Sequence, residues 1–157
     1  MPALDYLPFM NAIRAKGPRR VLSSRHASAW TPVRAPLAAS RLVLLTSAAV
    51  RQAGQAAFTP PEDTSYRVVP FDADASELRI DHRSAIGTDA RVDLEVVVPR
   101  TALASLADQG VLGSVATAFL SFVGGTELHE QVEQELAPAL TREVQRLGGD
   151  LALLVPY

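Results

Sequence analysis

The sequence predicts an α/β domain, a layered sheet of mainly parallel strands with flanking helices. Short apolar runs that suit buried strands alternate with helical patterns, most clearly in the second half of the chain. The last apolar run, residues 151–156, follows a Gly-Gly-Asp turn at the end of a predicted helix and is typical of a buried parallel strand. In open α/β sheets the functional site lies beyond the carboxyl ends of the strands, so we expect it near Tyr157.

Composition narrows the class of protein. The 157 residues are 48% hydrophobic and carry a net charge of −2, which fits one folded domain and argues against a broad surface for nucleic acid or anionic membrane. The sequence holds no cysteine, so disulfides, thiolate catalysis and cysteine-ligated metals are excluded within it. Its apolar runs are far shorter than the ~20 residues of a membrane span. These observations predict a soluble cytoplasmic protein.

The chain divides by composition into two parts. Residues 1–40 are rich in proline, arginine, serine and alanine and predict an extended N-terminal arm, with a short helix over residues 4–15. We expect Trp30 and Leu37 of this arm to pack into the body. Residues 41–157 hold the regular strand and helix patterns and predict the α/β domain.

The first half of the domain reads as strands. Residues 41–47 form an apolar run between polar residues, and an alanine- and glutamine-rich loop follows as far as Phe58. Residues 66–70 predict a second strand that ends at Pro70. Residues 77–82 alternate apolar and polar side chains with period two, which predicts a half-exposed strand. A polar loop is expected over residues 83–91.

The second half mixes strands and helices. Residues 94–98 predict a buried strand, and Thr101 is expected to cap a helix that ends at Gly110. Residues 113–123 are ambiguous, because their apolar spacing suits a helix and yet glycines bracket them. Residues 126–147 predict a helix, or two, since Pro138 interrupts an amphipathic pattern. Gly148 and Gly149 end it before the final strand.

Few polar residues suit a site. His82 ends the predicted strand at residues 77–82, beside a polar loop, where a histidine serves as a proton donor or a substrate contact, or as a solvent-facing or hydrogen-bonded structural residue. Arg67 is suited to hold a carboxylate through two hydrogen bonds, or to pair with Asp72 or Asp74. The three histidines do not cluster, which argues against a metal site. Residues 124–126, Gly-Gly-Thr, are more typical of a turn and cap than of an anion site.

The order of several short segments resembles the selenoprotein B family of the glycine, sarcosine, betaine and D-proline reductases, over nearly the whole chain from about Leu4. The most specific segments are Ser-Tyr-Arg-Val-Val-Pro at residues 65–70 and the stretch from Gly113-Ser114 through Ala116 to Ser121-Phe122 and Gly124. The others lie at residues 5–6, 30–32, 36–37, 44–46, 78–82, 96–99 and 153–156.

The resemblance implies a reductive cleavage of a C–N bond in an amino acid or an N-methylated amino acid. In the family a selenocysteine or cysteine directly follows a strand like residues 151–156 and acts as the nucleophile. These 157 residues supply neither, so we predict that the 157-residue chain is inactive alone. Apart from the selenocysteine expected in an extended chain, the resemblance implies no cofactor. It implies partners, namely other reductase subunits and a small thiol or selenoprotein reductant. Charge and the short apolar runs predict neither nucleic acid nor membrane as a partner.

Three explanations for the missing nucleophile stay open. The first, which we favour, is that a UGA codon after Tyr157 encodes selenocysteine and was read as a stop. The second is that the sequence is a fragment of a cysteine-containing relative. The third is that the chain is a non-catalytic paralogue that binds a small molecule or a partner. Departures from the family bear on the third. Arg51 replaces a common histidine, Ala85-Ile86 interrupts a His-x-x-Tyr-Asp pattern, and Thr117-Ala118-Phe119-Leu120 replaces Pro-Arg-His-Tyr.

The resemblance and the strand-end positions together predict the substrate-contacting residues. These are Tyr66, Arg67 and His82, with Ser121 as a weaker candidate. We also expect the terminal strand to lack support on one side and so to favour association.

Overall fold

A computed structural model describes residues 31–82 and 88–157. The predicted helix at residues 4–15, the packing of Trp30 and most of the predicted arm lie outside these residues, so the division at residue 40 stays a prediction. Within the described arm, Leu37–Ala39 forms a 3₁₀ turn. The expectation that Leu37 packs into the body is wrong, because Leu37 is 53% exposed. Its backbone oxygen accepts from the Ser40 amide at 3.0 Å and from the Gly113 amide at 2.9 Å.

The central sheet is built around strand β1, Arg41–Thr46. Strand β7, Leu151–Val155, pairs with β1 in parallel over five residues. On the other side β1 pairs in parallel with two short strands in turn, β5 at Ser114–Val115 and β6 at Ala118–Phe122. Strand β3, Tyr66–Pro70, joins the far side of β6 in antiparallel orientation. This arrangement confirms the predicted α/β class with a mainly parallel sheet.

A second sheet has two strands, and the first of them follows shortly after β1 in the chain. Strand β2, Val50–Gln52, pairs antiparallel with β4, Leu78–Ile80. The predicted alternation in β4 is confirmed, because Leu78 is buried and Arg79 is exposed. The sequence predicted only a loop where β2 lies; a three-residue strand with two polar members carries too little periodicity to be detected.

The helices complete the two layers. Helix α1 is Thr88–Val92 and helix α2 is Arg100–Asp108. A third helical run comprises α3, His129–Gln131, a π-helical turn, Val132–Leu136, and α4, Ala137–Arg146. The predicted choice between two helices and a distorted one resolves as a continuous run, in which the π turn accommodates Pro138, a residue without an N–H. Two further 3₁₀ turns are Ala75–Glu77 and Leu94–Val96.

Two apolar clusters cover the faces of the sheet. One includes Leu44, Val69 and Phe119 of the sheet, and Leu103 of α2. The other joins Val43, Leu45 and Leu120 to Leu136 and Leu140 of the third helical run. Adjacent strand residues alternate between these clusters, as the pleat requires.

Several local expectations were wrong. The apolar residues 94–98 form a 3₁₀ turn and its exit, although Val97 and Val98 are fully buried; the Asp93 side chain accepts from the Glu95 amide at 3.0 Å and turns the chain. Residues 113–123, for which the sequence left helix and other structure open, form two strands because β1 offers a partner edge. Residues 88–91 are helical, although a loop was expected over residues 83–91.

Helix α2 is not capped by the Thr101 side chain. Pro99 precedes the helix without a side-chain hydrogen bond, and the Glu95 carboxylate accepts from the Thr101 amide at 2.8 Å instead. A carboxylate at this end also complements the positive end of the helix dipole. The capping group therefore comes from the preceding turn.

The terminal strand β7 is an edge strand, and the expectation that it is buried was wrong. Leu153 and Val155 pack against the Leu44 cluster, but Ala152 is exposed and Leu154 is 64% exposed. Among the described strands only β1 pairs with it. One backbone edge of β7 therefore lacks a described partner strand, as the sequence analysis anticipated.

Candidate functional site

Ser47 joins three strand ends at the carboxyl edge of the parallel sheet. It directly follows β1, and its amide donates to the Val155 oxygen of β7 at 3.2 Å. Its backbone oxygen accepts from the Gly124 amide, beyond β6, at 2.9 Å. Its hydroxyl oxygen accepts from the Tyr157 amide at 2.9 Å. The ends of β1, β6 and β7 are thereby held together where an α/β fold normally builds its site.

Gly124 allows this close approach. A Cβ atom at Gly124 would lie 2.9 Å from both Cβ and Oγ of Ser47, inside van der Waals contact. The Gly-Gly-Thr segment at residues 124–126 forms a turn whose threonine caps the backbone that follows, since the Thr126 hydroxyl accepts from the Leu128 amide at 3.1 Å. Gly124 therefore serves the packing of strand ends.

His82 lies against Tyr157 at this edge. Their ring centroids are 5.2 Å apart with an interplanar angle of 69°, an edge-to-face contact. The His82 Nδ1 atom is buried and makes no hydrogen bond within the described part of the chain. A buried nitrogen without a partner costs free energy, which a ligand that bonds to it would recover.

The environment of His82 sets its protonation. Burial lowers the pKa of His82 below the ordinary 6.5, because a desolvated imidazolium is disfavoured, and a hydrogen bond with the Gly124 backbone opposes that shift in part. The imidazole is therefore mainly neutral at pH 7. Its Nδ1, which has no partner among the described residues, suits a group that first accepts a proton and then returns it.

The residue before His82 is fixed by an ion pair. Asp81 accepts from Arg51 Nε at 2.7 Å and from Nη2 at 3.4 Å, and also from the Phe58 amide at 2.8 Å. The Arg51 and Asp81 side chains are only 16% and 18% exposed. The pair ties β2, the end of β4 and the loop at Phe58 together at the residue that precedes His82.

Arg67 lies near the same edge, but its guanidinium is engaged. It donates to the backbone oxygens of Ala56 at 2.9 Å and Ala57 at 3.3 Å, and its carbon lies 4.2 Å from the Phe58 ring centroid. It also donates to the Ser65 hydroxyl at 2.8 Å. No ion pair with Asp72 or Asp74 forms, so that alternative is wrong. Phe58 bonds to Asp81, so one loop residue links the surroundings of Arg67 and His82.

Asp63 organises the loop on the other side of Arg67. Its carboxylate accepts from the Thr59 amide at 2.8 Å and from the Ser65 amide at 2.8 Å, and it also bonds to the Ser65 hydroxyl. Burial tends to raise the pKa of Asp63, but these hydrogen bonds and the nearby Arg67 charge outweigh it and hold the pKa below its usual value. Asp63 is thus a structural anion.

Ser121 is opposite Arg67 in the β3–β6 pair and is fully buried. Its hydroxyl oxygen accepts from the Val50 amide at 2.6 Å and so anchors β2 to the central sheet. Access to a substrate from this position would require Val50 to move.

Tyr66 faces the other side of the sheet. It packs with Val68 and Phe122 against the third helical run, and its hydroxyl lies 3.4 Å from Glu143 Oε1. Burial and, next, the Glu143 charge raise the pKa of Tyr66. Of the four predicted contacts, the structure brings His82 and Arg67 toward the carboxyl edge, with Ser121 buried beneath, and places Tyr66 on the opposite face.

The sequence pattern did not single out Ser47, or Tyr157 as a ring partner of His82, and for Gly124 it indicated a turn and not a close approach of strand ends. A usable signal existed for Ser47, the first polar residue after an apolar strand. Among residues 31–82 and 88–157, no group of three or more His, Asp or Glu side chains is placed to hold a metal ion. Within the same residues, no helix has the length and apolarity needed to cross a membrane.

Fold and site together define an α/β domain with a small polar cluster at the carboxyl edge of its parallel strands. The chain is similar to D-proline reductase subunit gamma of Acetoanaerobium sticklandii, with 28% identity over 125 residues. The match covers 80% of this chain and 52% of the relative, so the chain spans about half the length of the curated relative it matches. The chain is therefore a distant relative of a reductase subunit. No protein-family model and no solved structure matches it.

Proposed function

We propose that this chain is the substrate-facing part of an amino-acid reductase subunit of the selenoprotein B type. Its reaction is the reductive cleavage of a C–N bond in a substrate of the glycine, sarcosine, betaine or D-proline class. Two observations support this proposal. Family-like segments, including the one that forms strand Tyr66–Pro70, follow one another along the chain as in the family, and the chain is similar to D-proline reductase subunit gamma. D-Proline is accordingly the first substrate to test.

The observation that carries the proposal is the contact between His82 and Tyr157. The two rings meet at the carboxyl edge, 5.2 Å apart, and Ser47 holds the Tyr157 amide there. In the family that the sequence resembles, the nucleophile follows a strand like β7. A residue that follows Tyr157 would therefore enter the site next to His82.

The chemistry assigns a role to His82. A thiol or selenol gives its proton up and its anion attacks the carbon of the C–N bond, whose electron pair leaves with nitrogen. Neutral His82 takes a proton through Nδ1 and returns it to the departing amine. A second thiol then attacks the sulfur or selenium atom, the bond from that atom to carbon breaks, and the carbon gains a proton. The substrate is thereby reduced by two electrons, and the two chalcogen atoms are oxidised to a disulfide or selenenyl sulfide.

The nucleophile is the part that this sequence does not contain, since it has no cysteine. We propose that a longer gene product supplies it immediately after Tyr157. DNA sequencing beyond the Tyr157 codon tests this directly: we expect an in-frame UGA or cysteine codon, followed by a cysteine codon three positions later. A different stop codon without any reading frame beyond it would rule the extension out.

Activity provides the second test. The purified 157-residue chain should not reduce D-proline with a dithiol, whereas the extended chain with its partner subunits should. Alkylation and mass spectrometry should detect a reactive selenol or thiol in the extended chain. In that assembly, His82→Gln should lower kcat by about 100-fold or more if the residue transfers a proton. Turnover by the purified 157-residue chain would contradict the proposal.

A non-catalytic binding paralogue is the second candidate. It is favoured by Phe119 and Leu120, which are fully buried apolar residues where the resemblance leads us to expect polar ones. Such a protein would bind a small molecule or a partner subunit without turnover. An extended native chain without an alkylatable thiol or selenol would favour it.

A further inference from the structure

A separate cavity of about 310 Å³ lies between the small β2–β4 sheet and helix α1. Three arginines line it, together with one aspartate and an apolar floor that includes Leu78, Ile80 and Leu94. We propose that this cavity binds a small oxyanion, a carboxylate or phosphate group, through Arg79 and Arg91. The proposal does not depend on the reductase function.

Arg51 forms a fixed wall of the cavity. Its Nε and Nη2 bond to Asp81, and its Nη1 lies 3.3 Å from each of the backbone oxygens of Gln52, Ala53 and Gln55. All three of its nitrogens are thus used, and Asp81 balances its charge. Arg51 therefore orders the site without being the group that receives an anion.

Some guanidinium nitrogens of Arg79 and Arg91 have no hydrogen-bond partner among the described residues. Arg79 Nη1 donates to the Ser76 oxygen at 2.7 Å and to the Leu78 oxygen at 2.8 Å, which holds the guanidinium in place. Its Nε and Nη2 make no hydrogen bond within residues 31–82 and 88–157. Arg91 has one long contact, from Nη2 to the His82 oxygen at 3.4 Å. Two guanidinium groups with unused planar donors match the oxygens of a carboxylate or phosphate.

The charge of the cavity points the same way. Its three arginines and one aspartate give the lining a net charge of +2, whereas the whole sequence has a net charge of −2. The volume lies at the lower end of the ~300–1,000 Å³ range of small-molecule sites. A compact anion therefore fits better than a nucleotide or a polyanion.

The test is an NMR titration of the full 157-residue chain at pH 7.5 with inorganic phosphate and, separately, with acetate, each against sodium chloride of equal ionic strength. We expect saturable shifts of the Arg79 and Arg91 Nε–H signals with at least one of the two anions. The tighter anion distinguishes a phosphate ligand from a carboxylate ligand.

Variants assign the effect. Arg79→Gln and Arg91→Gln should each weaken binding about 10-fold, which corresponds to the loss of one charge-assisted contact. Arg142→Gln, which removes an exposed charge from α4 outside the cavity lining, is the matched control and should change affinity less than about 2-fold. Circular dichroism verifies folding, and Arg91→Lys keeps the charge while it removes the planar donor pair. Shifts that never saturate with either anion, or equal weakening by Arg142→Gln, would overturn the proposal.

Discussion

The Arg51–Asp81 ion pair, which fixes the residue before His82, gives the most direct test of how the site is held. In Asp81→Asn the side chain keeps its shape but loses its charge, so Arg51 remains partly buried without a counter-charge. The two side chains are 16% and 18% exposed, which places the pair much closer to the buried than to the exposed case. Removing one partner of a buried pair costs ~3–5 kcal/mol, and an exposed pair contributes ~0–1 kcal/mol.

We expect Asp81→Asn to lower the free energy of unfolding by about 2–3 kcal/mol, below the buried limit because Arg51 keeps its three backbone acceptors. For a domain of this size the corresponding fall in Tm is roughly 5–10 °C. Urea unfolding followed by circular dichroism measures the change, and an unchanged m-value shows that the surface exposed on unfolding is the same, so that stability alone has changed.

The matched control is Arg146→Gln. Arg146 pairs with Glu143 at 2.7 Å on the surface of α4, with the arginine side chain 60% exposed. Its loss should cost about 0.5 kcal/mol or less. If Asp81→Asn costs no more than Arg146→Gln, the argument that partial burial strengthens the Arg51–Asp81 pair is refuted.

Three further results follow from the structure. Gly113→Ala should lower the free energy of unfolding by about 2–3 kcal/mol in urea titrations, because its Cβ would lie 2.8 Å from the Ser40 oxygen, while Gly54→Ala, with no atom within 4 Å, should leave stability nearly unchanged. The lowered pKa of His82 means that the unfolded chain binds more protons; stability should therefore be retained above pH 6.5 and fall as pH drops below it, and His82→Gln should flatten that fall in thermal melts. Leu154→Lys should reduce self-association in analytical ultracentrifugation, since Leu154 is 64% exposed on an edge strand; an unchanged association constant would contradict this.

The strands that the sequence predicted well are those whose own residues carry a strong pattern. The predicted strand at residues 66–70 has the bounds of β3, and the predicted strand at residues 41–47 differs from β1 by one residue. In both, apolar runs with β-branched residues meet polar residues or proline at their ends. Local composition is sufficient there because burial and the strand period agree.

The same reasoning failed where burial and strand geometry separate. Val97 and Val98 are as buried as any sheet residue, yet they directly follow a 3₁₀ turn and are not in a strand. Phe119 lies in a strand, although the spacing of its apolar neighbours also suited a helix. A pattern of apolar residues reports that a segment is buried. It does not report whether a free strand edge is available to pair with it.

The candidate site shows the same division. The sequence singled out His82 and indicated that the segment before Tyr157 would run to the carboxyl edge of a parallel sheet. It also determined the class of fold and the absence of a thiol from these 157 residues. These properties follow from residue identity and local spacing, which the sequence contains directly.

Only the tertiary structure decided which of those residues meet. It placed β1 at the centre, brought Tyr157 to His82 across 75 positions of sequence, buried Ser121 under Val50, and turned Tyr66 to the opposite face. Strand order and pairing register depend on contacts between segments far apart in the chain. Such contacts are selected by the packing of the whole core, and no local window of sequence contains that information.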